Sequence, residues 1–165
     1  MSMEKSEQGM PDGLPDHAEV VAYPVALFLG FLIPAIIADY LWPIWMADPM
    51  WRVVAFLVFA VPGGIFVLLT FPQFRKAGTT ADPYGNVSAI IRTGPFGLSR
   101  NPIYVGMCLM HLGIAVGVGG LIAVLVLVPI LLIMHYGVIL REEDYLERKH
   151  GEEYLDYKAN VRRWI

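Results

Sequence analysis

Apolar residues fill four blocks of the chain, Val20 to Trp42, Val53 to Phe71, Pro102 to Val118 and Leu121 to Leu140, with the polar residues gathered between and after them. A helix needs roughly 20 residues to cross a hydrocarbon core of about 30 Å, so each block predicts a spanning helix, the third being the shortest. The runs are continuous, unlike the short alternating segments of outer-membrane strands, and a backbone in lipid must satisfy its own hydrogen bonds. The pattern predicts an all-α, polytopic membrane helix bundle of about four transmembrane helices, followed by a cytoplasmic helical segment over 141–165. No period of 20 to 50 residues recurs, so 20–165 reads as one domain. The acidic stretch over 1–19 carries Pro and Gly but no cleavage pattern of a signal peptide, and is expected to be a disordered tail.

Composition supports this class. In 165 residues, 56% are hydrophobic and only 16% charged, a balance far from that of soluble domains. The net charge of −3 comes without a basic stripe away from the membrane flanks, so nucleic acid is not an expected partner. Cys108 is the only cysteine and lies inside an apolar block, which leaves neither a disulfide nor a thiolate metal site. No nucleophile elbow, zincin motif or cysteine–histidine cluster is present, and no metal is expected.

Basic residues set the orientation. With four spans, Lys5, Arg75, Lys76, Arg92, Arg100, Arg141, Arg148, Lys149, Lys158, Arg162 and Arg163 fall on one side, and Arg52 alone on the other. The positive-inside rule places both termini and the 72–101 loop in the cytoplasm. Pro24, Pro34, Pro62 and the pair Gly63-Gly64 interrupt the spans, where they loosen helices or let neighbours approach closely. Asp39, near the end of the first span, reads as an ordinary interfacial carboxylate.

Two polar islands bracket the last apolar hairpin and should meet at the cytoplasmic face. The first is Ser99-Arg100-Asn101-Pro102-Ile103-Tyr104-Val105-Gly106; the second begins Arg141-Glu142-Glu143 and continues through Gly151-Glu152-Glu153-Tyr154-Leu155-Asp156-Tyr157. Asn101 has the side chain to cap a helix with Pro102 in its first turn. Successive helical residues diverge by about 100°, so one of Glu142 and Glu143 can face the bundle. A partly desolvated carboxylate there suits a cationic ligand, while Arg100, Arg141 and a helix amino terminus suit an anionic group. His135 shares a face with Glu142, and His111 with Tyr104; both histidines fall inside the apolar blocks and are candidates by position. Tyr154, Tyr157, Val161 and Trp164 recur at helical spacing and mark a face that could cover a site.

Together these islands resemble the integral-membrane methyltransferases that include isoprenylcysteine carboxyl methyltransferase and the phospholipid N-methyltransferases. The resemblance rests on Gly94-Pro95, Arg100-Asn101-Pro102-Ile103-Tyr104-Val105-Gly106, Glu142-Glu143 and His150-Gly151-Glu152-Glu153-Tyr154-Leu155-Asp156-Tyr157, in that order, over about 93–164. It implies S-adenosylmethionine as methyl donor and S-adenosylhomocysteine as product. It also implies a cofactor site lined by Arg100, Asn101, Pro102, Tyr104 and Gly106 on one side and by Glu142 and Glu143, with Tyr154 and Tyr157, on the other. Glu142, Arg141 and His135 are the catalytic candidates, Arg141 standing in for a basic residue that the family often places near Val138. The Gly151 to Lys158 tail is similar to the prenylcysteine branch, whereas Asn101 matches the lipid methyltransferases. The expected activity is therefore methylation of a lipophilic acceptor from the bilayer, with an isoprenylcysteine-type carboxylate preferred to a phospholipid amine. A non-enzymatic membrane transporter or ligand sensor is the alternative of another class.

Overall fold

A computed structural model describes residues 15–44 and 48–165. Five helices carry the fold: α1 (Pro24–Leu41), α2 (Pro49–Ala77), α3 (Pro102–Val118), α4 (Leu121–His150) and α5 (Glu152–Asn160). Among the described residues there is no strand. By length and apolarity α1, α2 and α4 can each cross a membrane. With 17 residues, α3 reaches about 25 Å at 1.5 Å per residue, just short of a full hydrocarbon core.

The helix ends follow local chemistry. Prolines occupy the first turns of α1, α2 and α3, where a missing N–H costs nothing. Glycines close α2, α3 and α4: Gly78, Gly119 and Gly151 all have positive φ. Expected boundaries move at four places: α1 begins at Pro24, which opens the helix and does not interrupt it, instead of Val20, α2 begins at Pro49 instead of Val53, and two ends shift. The second block runs beyond Phe71 to Ala77, because Pro72 enters a turn whose N–H needs no partner. The fourth continues unbroken through the charged residues to His150, so Glu142 and Glu143 extend a spanning helix instead of beginning a separate one. Pro34 sits within α1, and α2 absorbs Pro62 with a π turn over Phe56–Ala60 just before it. A second π turn spans Met134–Ile139 in α4.

Small residues bring α2 and α3 together. A Cβ on Gly106 would stand 2.7 Å from the Gly63 carbonyl oxygen, and one on Gly63 would stand 2.6 Å from that of Gly106. One turn-pair further along, a Cβ on Gly113 would lie 2.9 Å from the Ala60 Cα. Such close backbone approach is how helices associate where lipid removes the hydrophobic drive. The main core lies between α1, α3 and α4, with Phe28, Tyr104, Ile130, Met134, Val138 and Tyr145 all buried.

At the end of the bundle away from the polar islands, the α3–α4 turn is clamped by two charges. Asp39, buried in α1, accepts hydrogen bonds from the Ile122 and Ala123 backbone N–H groups at 2.9 and 2.7 Å, capping the start of α4. Arg52 donates to the Gly117 and Val118 carbonyls at 3.0 and 2.7 Å, capping the end of α3. Asp39 thus has a definite structural role, beyond that of an ordinary interfacial carboxylate.

The stretch expected to be a disordered tail is also corrected in part. Residues 1–14 lie outside the described residues, but residues 15–19 pack against α4, and Ala18 is 2% exposed. Hydrogen bonds to Tyr145 and Arg141 hold this segment in place.

Candidate active site

The α3–α4 hairpin brings the two islands together at one end of the bundle. There a cavity opens between the start of α3, the charged end of α4, α5 and the loop following α2. Arg100, Asn101, Pro102, Tyr104, Glu142, Glu143, Tyr154 and Tyr157 all line it. The loop contributes an apolar wall, including Val87, Ala89, Ile90 and Ile91, and Ala18 contributes from the amino-terminal segment.

The two adjacent glutamates have unlike surroundings. Glu143 is buried and saturated: Arg100 Nη2 donates to it at 2.8 Å, and Arg163 donates through Nε and Nη2, each at 2.8 Å. Burial alone would raise its pKa, but the hydrogen bonds and charges of the two arginines prevail and hold the carboxyl below the usual carboxylate range. Glu142 has no cationic partner among these contacts. It accepts one hydrogen bond, from the Tyr104 hydroxyl at 2.6 Å. Burial pushes its pKa up to about 7; the Tyr104 hydroxyl opposes that rise and the neighbouring Glu143 charge adds to it. The pair is therefore one structural carboxylate and one chemically available carboxylate.

Arg100 is a junction. Besides Glu143, its Nη1 donates to the Lys158 and Val161 carbonyls at 2.9 and 3.1 Å, which satisfies the end of α5. Its Nε is buried without a partner among the described residues. Asn101 precedes α3 but its side chain does not cap the helix. It donates instead to the Arg163 carbonyl at 3.0 Å, and the first N–H groups of α3 are left without a side-chain cap at the cavity. The carboxyl-terminal segment explains why: Val161–Arg163 leaves the helical path after Asn160 and runs beside Ser99–Asn101, with Arg100 N–H donating to the Arg162 carbonyl at 2.9 Å. Val161 and Trp164 accordingly do not continue the helical face of Tyr154 and Tyr157. Tyr157 reaches the Phe96 carbonyl at 2.8 Å.

Four sequence candidates stand elsewhere. Gly106 faces α2 at the close helix crossing, away from the cavity. His135 lies in the π turn of α4 and packs edge-on against Tyr136 at 4.7 Å. Arg141 is exposed and donates to the Glu19 carbonyl at 2.6 Å. His111 also serves the helix packing: its Nε2 lies 2.9 Å from the Ala123 carbonyl, which assigns that nitrogen the proton. Residues that sequence reasoning passed over are Arg163, Tyr145 and the 79–91 loop. Arg163 carried a faint signal, as a basic residue just after the tail motif.

The sequence pattern described as phospholipid methyltransferase matches residues 50–153, a span that includes α2, α3, α4 and the connecting loop. An uncharacterized protein of Haemophilus influenzae is 38% identical over 63 residues, which are 38% of this chain and all of that protein. No solved structure matches the chain.

Proposed function

We propose that this chain, which belongs to the phospholipid methyltransferase family, moves a methyl group from S-adenosylmethionine to a lipophilic amine presented by the bilayer. Methyltransferase activity and a membrane setting follow from the family and the apolar helices; donor, acceptor and residue roles are our reading. The observation that carries it is the asymmetry of the glutamates: Glu142 faces the cavity on a Tyr104 hydrogen bond, while Glu143 is neutralised by Arg100 and Arg163.

The residues fit a donor bearing an ammonium, a sulfonium and a carboxylate. Glu142 offers negative charge to the cationic groups. The unpartnered Arg100 Nε and the uncapped start of α3 suit the carboxylate. The donor supplies an electrophilic methyl group, so the protein has chiefly to align the acceptor and keep water out. Tyr104 orients the Glu142 carboxylate, and the apolar 87–91 wall accommodates the acceptor. An amine sheds a proton on methylation, and a carboxyl poised at about 7 can take it at neutral pH. Glu142 thus replaces His135 as our proposed base, and Arg141 leaves the catalytic set. The basic residues flanking the spans support a cytoplasmic site.

A second reading keeps the isoprenylcysteine-type carboxylate as acceptor. It is favoured by Tyr154 and Tyr157, which line the cavity from the tail segment similar to that branch, and it requires no base. The deciding experiment supplies labelled S-adenosylmethionine with phosphatidylethanolamine vesicles or with a farnesylcysteine analogue. Label on the headgroup nitrogen is expected. Label solely in an alkali-labile carboxyl ester would establish the second reading instead, and no transfer to either, with no donor binding, would end both.

A further inference from the structure

The segment from Asp16 to Val21 touches the cavity through Ala18 and is tied down on both sides of that residue. On one side the Asp16 carboxylate pairs with the Lys149 ammonium and accepts hydrogen bonds from the Asn86 amide and, at 3.1 Å, from the Tyr145 hydroxyl. Lys149 also donates to Asn86 Oδ1 at 2.7 Å and to Tyr145 at 3.0 Å, so a single cluster joins the segment, the loop and α4. On the other side Arg141 holds the Glu19 carbonyl, Val21 N–H donates to the Gly137 carbonyl at 3.1 Å, and Tyr84 of the loop donates to the Val20 carbonyl at 2.9 Å. Between these ties Ala18 is buried and lines the cavity.

We infer that Asp16–Val21 is a latched strap that, with the 79–91 loop, closes the water-facing mouth of the cavity, and that Asp16 and Arg141 are the positioning residues that hold it shut. The strap has little internal structure, its one local backbone bond running from Val20 N–H to the Ala18 carbonyl. Segments held by few local bonds open well below the cost of global unfolding. The latch is accessible to water, since the Asp16 side chain is 43% exposed. Asn86 and Tyr84 couple strap to loop, so releasing one loosens the other. A soluble donor would pass this mouth, leaving the lipid-facing side of the bundle to the acceptor. The inference rests on the reading of the cavity as a donor site.

The test uses the full chain in detergent micelles with S-adenosylhomocysteine as probe. Asp16→Asn and Arg141→Ala should each speed its dissociation about three- to tenfold, the scale of a half-exposed ion pair for Asp16 and of one hydrogen bond to a backbone carbonyl for Arg141, while Asp16→Glu stays near the parent rate. In the protein without the probe, Asp16→Asn should also accelerate amide exchange across 79–91 as well as 16–21. Unchanged dissociation, exchange confined to 16–21, or an Asp16→Glu rate equal to that of Asp16→Asn would overturn the latch. A parent chain that never retains the probe would remove the donor reading of the cavity, and the exchange across 79–91 would then decide the latch by itself.

Discussion

Arg163 grips Glu143 with two prongs: Nε and Nη2 lie 2.8 Å from different oxygens of the same carboxylate, twenty positions back in the chain. The contact closes the carboxyl-terminal segment onto the end of α4 and frees Glu142 to face the cavity without a competing cation. Removing the Glu143 charge should therefore destabilise the fold before it changes the chemistry. Glu143→Ala leaves the buried Arg100 unpaired, and breaking a buried pair costs about 3–5 kcal/mol. Arg163 is 30% exposed, so Arg163→Ala should cost less, about 1–3 kcal/mol. Unfolding in detergent monitored by circular dichroism measures both. Equal losses from the two variants would contradict the ranking.

Glu142→Gln should behave in the opposite way. It keeps the volume and can still accept from Tyr104, so the fold should persist, while affinity for S-adenosylmethionine falls by at least about tenfold through loss of the facing charge. Titration calorimetry on the folded variant reads the change, and an affinity equal to the parent's would remove Glu142 from the site.

The pH dependence follows from the same carboxyl. Its pKa is raised to about 7, so it is ionised above that value and takes up a proton below it. Affinity for a cationic ligand should be full near pH 8 and fall as the pH drops through 7, by about tenfold per unit well below the pKa. Glu143, held below the usual carboxylate range, stays charged throughout this window and contributes no slope. Glu142→Gln should flatten the profile; a slope that survives in that variant belongs to another group.

At the α2–α3 crossing, Gly106→Ala places a methyl where the Gly63 carbonyl and the Val67 side chain already stand. The helices must separate, and overpacking of this kind costs about 1–3 kcal/mol. Because Pro102 and Tyr104 belong to the same helix, ligand affinity should fall along with stability. Gly64→Ala is the matched control, as the nearest atom to its new methyl is the Met110 sulfur at 3.9 Å, and it should leave both unchanged. Thermal denaturation and probe binding on the two variants check this.

The sequence showed those parts of the molecule whose signal is local. Apolar block length revealed the helices, and Pro102 marked the start of α3, whereas the prolines that open α1 and α2 were not read as helix starts. The order of Arg100 to Gly106 and Glu142-Glu143 revealed which segments meet, because a short hairpin between two helices leaves them no other place to go. It could not divide the labour of the two glutamates. That depends on Arg163 and Tyr104, brought in from other parts of the chain. Gly106 illustrates the converse: it sits within the motif and on the same helix as Tyr104, yet its backbone serves the crossing with Gly63. Arg141 entered as the substitute for a basic residue near Val138, yet the helical turn of about 100° that separates it from Glu142 points it toward Glu19 instead.

Asp39 and Arg52 were the least legible, since their partners lie 83 and 65 positions away. Their roles predict a separable defect. Asp39→Ala strips the start of α4 of a cap that satisfies two backbone donors, and such caps contribute about 1–2 kcal/mol; burial raises the cost of leaving the donors unpaired. Arg52→Ala should act more weakly, since its two carbonyl partners retain other ways to be satisfied at a helix end. Both residues lie at the opposite end of the bundle from Glu142, so at temperatures where the fold persists the affinity for S-adenosylhomocysteine should match the parent chain. A melting midpoint lowered for Asp39→Ala with unchanged affinity is the expected result. If affinity falls while the midpoint holds, Asp39 acts on the site itself and is more than a cap.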